Sequence, residues 1–372
     1  MPFPCKPILI FWETTRACTL SCVHCRASAI TEPLPGELSR EEGRELIEQV
    51  TFFGKPYPTI IFTGGDPLKR KDLFELLIHA AELDINFAVS PAVSELLTQK
   101  TLSRLKHVGA SSVSISLDGS TEEVHDSIRR EPGTFKRTIE AIKDAQLAGL
   151  NLQVNTAVMR RNLRELPSIF SLIKGLGVKT WEVFFLIRVG RGGSVEDLTP
   201  HEYESACNFL YDASHYGVTI RTVEAPFIRR VAKQRASDGS YWQSTTYLEL
   251  RNRLIQLEGD PNDLSTLRPV GTLDGDGIIF IAHDGTIHPG GLLPISLGNV
   301  KNDSLIRVYR ENQTLQDIRQ RKMLGRCGVC DYKEICGGSR ARAFSYSGDP
   351  LSSDPACIHV SPQVATKIDS AV

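Results

Sequence analysis

The sequence has almost no net charge: 43 Lys and Arg stand against 44 Asp and Glu, giving −1 over 372 residues. Without a long-range basic field, nucleic acid and anionic membrane surfaces are excluded as expected partners. Membrane-length apolar runs are lacking too. The run Ile8-Leu9-Ile10-Phe11-Trp12 stops at Glu13, far short of the roughly 20 residues that span a bilayer. The first residues, Met1-Pro2-Phe3-Pro4-Cys5-Lys6-Pro7, show no basic segment leading into an apolar core, so no secretory signal is read and a cytoplasmic location is expected. Sequence repeats and low-complexity segments are absent, while 41% hydrophobic and 23% charged residues make an ordinary globular balance.

Cysteine, by contrast, is plentiful. A compartment that keeps thiols reduced disfavours disulfides, so nine cysteines read as ligands or core residues. Cys5 and Cys207 stand apart and read as small buried hydrophobes. The others form two groups: Cys18, Cys22 and Cys25 near the start, and Cys327, Cys330, Cys336 and Cys357 near the end.

Between these groups, Val-, Ile- and Phe-rich runs alternate with amphipathic segments. Strands are predicted at Ile8–Glu13, Thr59–Thr63, Asn86–Ser90, Ser112–Leu117, Leu152–Ala157 and Thr180–Ile187. Helices are predicted at Ser39–Phe53, opened by the capping box Ser39-Arg40-Glu41-Glu42, and at Lys71–Leu83, Ser94–Val108, Thr134–Ala148, Leu166–Leu176 and Pro200–Tyr216. Six βα units imply a parallel sheet with right-handed crossovers. They are too few for eight-stranded closure, so the expected fold is α/β, a partial (β/α)6 TIM-like barrel, with a flat doubly wound sheet as the alternative. The rhythm breaks near residue 218, giving expected domains 1–217 and 218–372. The latter contains a polar, helix-like stretch at 229–270, a hairpin around Asp284-Gly285, and a helix at Ser304–Arg321 leading into the second cysteine group.

Cys18-x3-Cys22-x2-Cys25 lies on the loop after the first strand, at the face where α/β folds bind ligands. Three thiolates can hold three irons of a [4Fe–4S] cube and leave the fourth open to an exogenous chelator. A zinc site with His24 as fourth ligand is the competing reading, made awkward because His24 and Cys25 are adjacent.

Spacing, placement and the features that follow resemble the radical SAM superfamily over about residues 8–190. That resemblance implies that the open iron binds S-adenosylmethionine (SAM), whose reductive cleavage yields a 5′-deoxyadenosyl radical that abstracts substrate hydrogen. Thr63-Gly64-Gly65-Asp66-Pro67 resembles the family's Gly-Gly-Glu-Pro loop, with Asp in place of Glu, although an ordinary βα turn reads similarly. Ser116 and Asp118 resemble its ribose- and carboxylate-binding positions, with Asp118 alternatively capping a turn or holding Arg129. Asn155 resembles a further polar contact, Leu186 in Leu186–Gly192 resembles the adenine-packing edge, and His24 joins these expected cofactor-binding residues.

Cys327-x2-Cys330-x5-Cys336-x20-Cys357, with Cys336-Gly-Gly-Ser-Arg-Ala-Arg, resembles a C-terminal SPASM or twitch-type auxiliary domain. Four thiolates would saturate one auxiliary [4Fe–4S] cluster, favouring electron transfer; a zinc ribbon is the alternative. Larger versions carry a further cluster with a cysteine after the hairpin, where this chain has His288-Pro289-Gly290-Gly291.

The detailed pattern is most similar to radical SAM enzymes of haem metabolism, which act on siroheme-derived tetrapyrroles. Arg129, Arg130, Arg188, Arg191, Arg340 and Arg342 are candidates for their carboxylate side chains. One alternative is a maturase acting on a ribosomal peptide, weakened because only 17 residues precede Cys18. Another is a non-catalytic iron–sulfur electron carrier, which would need no SAM contacts. The enzyme readings imply a small-molecule tetrapyrrole or peptide substrate and a reductant such as flavodoxin or ferredoxin.

Overall fold

A computed structural model describes residues 3–238, 242–261, 264–268 and 271–359. Seven parallel strands carry the first part of the chain: β1 (Leu9–Glu13), β2 (Thr59–Thr63), β3 (Phe87–Val89), β4 (Ser112–Ser116), β5 (Asn151–Val158), β6 (Thr180–Phe185) and β7 (Thr219–Val223). The short β8 (Leu273–Asp274) precedes a hairpin of β9 (Gly277–Ile281) and β10 (Thr286–His288), and β11 (Gly298–Asn299) follows. The sheet order is β11-β10-β9-β1-β2-β3-β4-β5-β6-β7, an open partial barrel rather than a closed one.

The six expected strands are present, and a seventh, β7, continues the sheet past residue 218. The sheet also runs across the expected boundary in a second way. β9, from the C-terminal segment, pairs in parallel with β1, Leu9 opposite Ile278 and Trp12 opposite Ile281. The segment beyond 217 thus supplies both edges of the sheet.

Residues alternate along each strand, as the pleat requires. In β4, Val113 and Ile115 are buried while Ser112, Ser114 and Ser116 are half-buried. In β6, Trp181, Val183 and Phe185 are buried while Thr180, Glu182 and Phe184 are half-buried. The buried set packs with the helices into one core containing Trp12, Phe62, Phe87, Phe170 and Trp181. The half-buried set, which includes Ser112, Ser114, Ser116, Thr180 and Glu182, lies on the opposite face of the sheet.

Ser39 and Glu42 form the expected capping box at the start of helix Arg40–Thr51. The single helix expected at Ser304–Arg321 is instead two, Leu305–Glu311 and Gln313–Arg319. Asn312 interrupts it, in extended backbone, and its side chain accepts from the amides of Thr314 and Leu315 to start the second helix. The 229–270 stretch holds helices Ile228–Asp238 and Thr245–Glu258; positions 239–241, 262–263 and 269–270 lie outside the described residues. Among the described residues no helix is long and apolar enough to cross a membrane.

Candidate functional site

The loop after β1 places Cys18, Cys22 and Cys25 at the C-terminal face of the sheet, none in a disulfide. Donors converge on their sulfurs. The Leu20 amide lies 3.3 Å from Cys18 Sγ, the Ala29 amide 3.4 Å from Cys25 Sγ, and Arg129 Nη1 3.6 Å from Cys22 Sγ. Burial, reinforced by Asp66 and the other two cysteines, pushes the Cys18 thiol up to about 11. A thiol held this way ionises readily only when a cation shares its charge. Three clustered sulfurs, each with a donor at hydrogen-bond range, are the donor set of an iron–sulfur cluster, so these residues fit that group.

Two glycine-bearing loops press on this cysteine loop. A Cβ on Gly65 would lie 2.5 Å from the Ala17 carbonyl, and one on Gly64 2.5 Å from the Thr15 carbonyl. Gly65 and Asp66 amides donate to Thr15 and Ala17 carbonyls at 2.8 and 2.7 Å. On the other side Gly190, at φ +54°, would put a Cβ 2.2 Å from the Arg26 carbonyl and 2.6 Å from that of Cys25. Glycine is demanded there both by φ and by backbone approach.

The expected cofactor-binding side chains divide into two groups. Asp66 is fully buried: Ser94 Oγ donates at 2.6 Å, the Leu68 amide at 3.1 Å, and burial raises its carboxyl. Its side chain therefore braces the loop, with Pro67 buried beside it, and does not reach the open face. Asp118 is also fully buried, accepting from the Ala157 amide at 2.8 Å and pairing with Arg129 at 2.7 Å. This matches the alternative in which it holds Arg129. Burial opposes its ionisation, but Arg129 and the neighbouring histidines outweigh that and keep the carboxyl low. Leu186 is buried, its carbonyl accepting from Tyr203.

Ser116, Asn155 and His24 are half-buried. Ser116 and Arg129 line one small cavity with Leu20, Ala92 and Thr138. Gln153 Nε2 donates to Asn155 Oδ1 and to Glu182 Oε2, both at 2.8 Å. With Asn155 Oδ1 thus engaged, its Nδ2 is the group left to meet a ligand. Burial holds the His24 imidazole down at about 4, and its Nδ1 has no hydrogen-bond partner among the described residues. A neutral ring is the form that suits an uncharged contact.

A second set of side chains, which no sequence motif marks, gathers near the same loop. Glu13 ends β1 and binds Arg26 Nη1 at 2.8 Å and His283 Nδ1 at 2.9 Å. Burial would raise its carboxyl, but Arg26 and His283 together hold it down at about 2. The triad ties the residue after Cys25 to β1 and to the turn after β9, and Arg26 also lies 4.4 Å over the Phe280 ring. Arg191, a candidate carboxylate binder by sequence, instead donates to the carbonyls of Cys22 and Ala29 at 2.9 and 2.8 Å. The one available signal was a carboxylate closing an apolar strand.

The second cysteine group is also assembled and free of disulfides. Asp354, Tyr332 and Gly338 amides lie 3.4 Å from the sulfurs of Cys327, Cys330 and Cys336 respectively. Burial, with the neighbouring Cys357, Asp354 and Cys327, pushes the Cys336 thiol up to about 12. The His359 backbone amide serves Cys357, so these four residues fit an iron–sulfur cluster for the same reason as the first three. At the position of the further cluster, Asp274 packs its carboxyl against Gly290, where a Cβ would lie 1.9 Å from Oδ1.

Residues 12–173 match the Radical SAM superfamily. The AdoMet-dependent heme synthase of Nitratidesulfovibrio vulgaris is 36% identical over 357 residues, covering 95% of this chain and 92% of that protein. The AdoMet-dependent heme synthase of Methanosarcina barkeri is 32% identical, covering 95% and 97%. Among solved structures, native anSMEcpe with bound AdoMet superposes with a TM-score of 0.67 at 15% identity, covering 97% of this chain and 95% of that one. The chain belongs to the radical SAM superfamily.

Proposed function

We propose that this radical SAM enzyme acts on a side chain of a tetrapyrrole haem precursor. The observation that carries the reading is similarity to AdoMet-dependent heme synthases along nearly the whole length of both chains. Cys18, Cys22 and Cys25 hold the [4Fe–4S] cluster, and Cys327, Cys330, Cys336 and Cys357 hold one auxiliary [4Fe–4S] cluster. When bound, the first cluster and SAM supply reductive cleavage to methionine and a 5′-deoxyadenosyl radical.

The chain's own residues bind, orient and shield. Arg129 offers a cation beside Cys22, anchored by Asp118. Ser116, His24 and the Nδ2 of Asn155 offer polar contacts, and the Gly64–Pro67 loop braces the cysteine loop. Gly190 and Arg191 lock that loop from the β6 side.

Of the six arginines weighed as carboxylate binders, four are committed. Arg129 and Arg342 are ion-paired with Asp118 and Asp354; Arg191 and Arg340 are clamped by backbone carbonyls. Arg188, exposed after β6 and 5.7 Å over the Tyr346 ring, is the better candidate for a substrate carboxylate. A reductant such as flavodoxin or ferredoxin, and a cytoplasmic setting, complete the reading.

The test is anaerobic reconstitution with SAM, dithionite and an iron tetrapyrrole bearing propionate side chains. Wild type should release 5′-deoxyadenosine and change the tetrapyrrole mass. Cys330→Ala should still cleave SAM while forming far less product. 5′-Deoxyadenosine release with every tetrapyrrole left unmodified would refute the substrate assignment.

A further inference from the structure

Three buried arginines, Arg230, Arg340 and Arg342, lie near the C-terminal cysteines, and two have their charge cancelled; the half-buried Arg229 donates to the carbonyls of Ile335 and Gly271. Arg230 sits in a two-point pair with Glu204, at 3.0 and 2.5 Å. Arg342 pairs with Asp354 at 3.3 Å. Arg340 differs. It is 2% exposed, and among the described residues it forms no ion pair with a carboxylate.

Its guanidinium is instead held in place by neutral groups. Nη1 donates to the carbonyls of Pro350 and Ser352 at 2.8 and 2.7 Å, and Nε donates to that of Gly338 at 3.2 Å. Nη2 is left facing Cys327 Sγ at 3.9 Å. Gly338 makes this approach possible: a Cβ there would lie 2.6 Å from Arg340 Nη2 and 3.2 Å from Cys327 Sγ.

A buried guanidinium without a counter-charge is costly, and carbonyl dipoles only orient it. The group within reach of its remaining donor is the sulfur of Cys327, which would carry negative charge as a cluster ligand. We propose that Arg340 is the built-in counter-charge of the auxiliary cluster and sets its reduction potential. The inference rests on the four-cysteine site holding an iron–sulfur cluster. A cation and an N–H donor beside a ligand sulfur stabilise the more negative, reduced form and so raise the potential. Arg340 acts through Cys327 and is a positioning residue, not a catalytic one.

The test uses the full-length chain carrying Cys22→Ala, so that only the C-terminal cluster is titrated, followed by electron paramagnetic resonance against a series of mediators. In that background Arg340→Met should lower the midpoint by a tenfold change in the reduction equilibrium, about 59 mV for one electron. Arg340→Lys, which keeps the charge, should retain more than half of the difference. Should Arg340→Met fail to hold its iron, a Lys variant at the parental potential still supports the charge. A full iron and sulfide complement in Arg340→Met with an unchanged midpoint would overturn the proposal, as would a Lys variant that falls as far as Met. A Cys22→Ala parent with no iron at the C-terminal cysteines would instead overturn the cluster assignment beneath it.

Discussion

Arg129 is fixed by Asp118: the two side chains meet at 2.7 Å, 11% and 0% exposed, and the same guanidinium reaches Cys22 Sγ at 3.6 Å. One ion pair therefore links the end of β4 to the loop that carries the first cysteine group. Substituting Asp118→Asn leaves a buried arginine without its partner, which costs about 3 kcal/mol. Thermal denaturation of the metal-free protein should show the loss. Asp118→Asn/Arg129→Met should recover at least half of it, because the stranded charge is then gone.

Gly65 and Gly190 grip the cysteine loop from opposite sides. Each leaves no room for a methyl group against backbone, and backbone cannot move aside as a side-chain tip can. Gly65→Ala and Gly190→Ala should each lower the iron bound at Cys18, Cys22 and Cys25 several-fold. The iron held at the C-terminal group should stay constant. Iron and sulfide analysis in a background lacking Cys330 separates the two sites.

Much of this arrangement was legible in sequence because its signals are local. Alternating apolar runs marked β1 to β6, and cysteine spacing marked the two groups that the fold assembles at separate places. The seventh strand was hidden because Thr-Ile-Arg-Thr-Val offers only two apolar residues. The pairing of Leu9 with Ile278 was hidden because register between segments so far apart leaves no local trace. The side-chain roles were harder still. Asp66 and Asp118 sit in recognisable motifs, yet which way each carboxylate turns depends on Ser94 and Arg129, neither of which is adjacent in sequence. Glu13, Arg26 and His283 come from three separate segments and meet only once β9 is laid beside β1.

Glu13 makes acid sensitivity predictable. Its carboxyl is lowered from 4.5 to about 2, because Arg26 and His283 outweigh the effect of burial. A group depressed in the folded state binds fewer protons than in the unfolded chain. Its stabilisation is therefore complete above its ordinary value and is lost as pH falls from 4.5 through about 2. The depression corresponds to about 3 kcal/mol. Urea midpoints of metal-free protein should fall between about pH 5 and about pH 3, and Glu13→Gln should flatten that fall.

Substitution of Arg188 should separate substrate binding from SAM binding. The residue is exposed, distant in sequence from the cysteine loop, and lies 5.7 Å over the ring of Tyr346 in helix Arg340–Ser347. Loss of one charge-assisted carboxylate contact costs about 2 kcal/mol. Arg188→Met should thus raise KM for the tetrapyrrole roughly tenfold or more, with SAM cleavage in the absence of substrate unchanged. Steady-state kinetics with the tetrapyrrole varied gives the answer.

If Cys18, Cys22 and Cys25 hold a cluster that cleaves SAM, their loss must abolish that cleavage. The most direct measurement is release of 5′-deoxyadenosine from SAM and dithionite by anaerobically reconstituted protein, compared with Cys22→Ala. Wild type should release it and the variant should release none. Zinc in place of iron and sulfide at those cysteines, or equal release by both proteins, would contradict it.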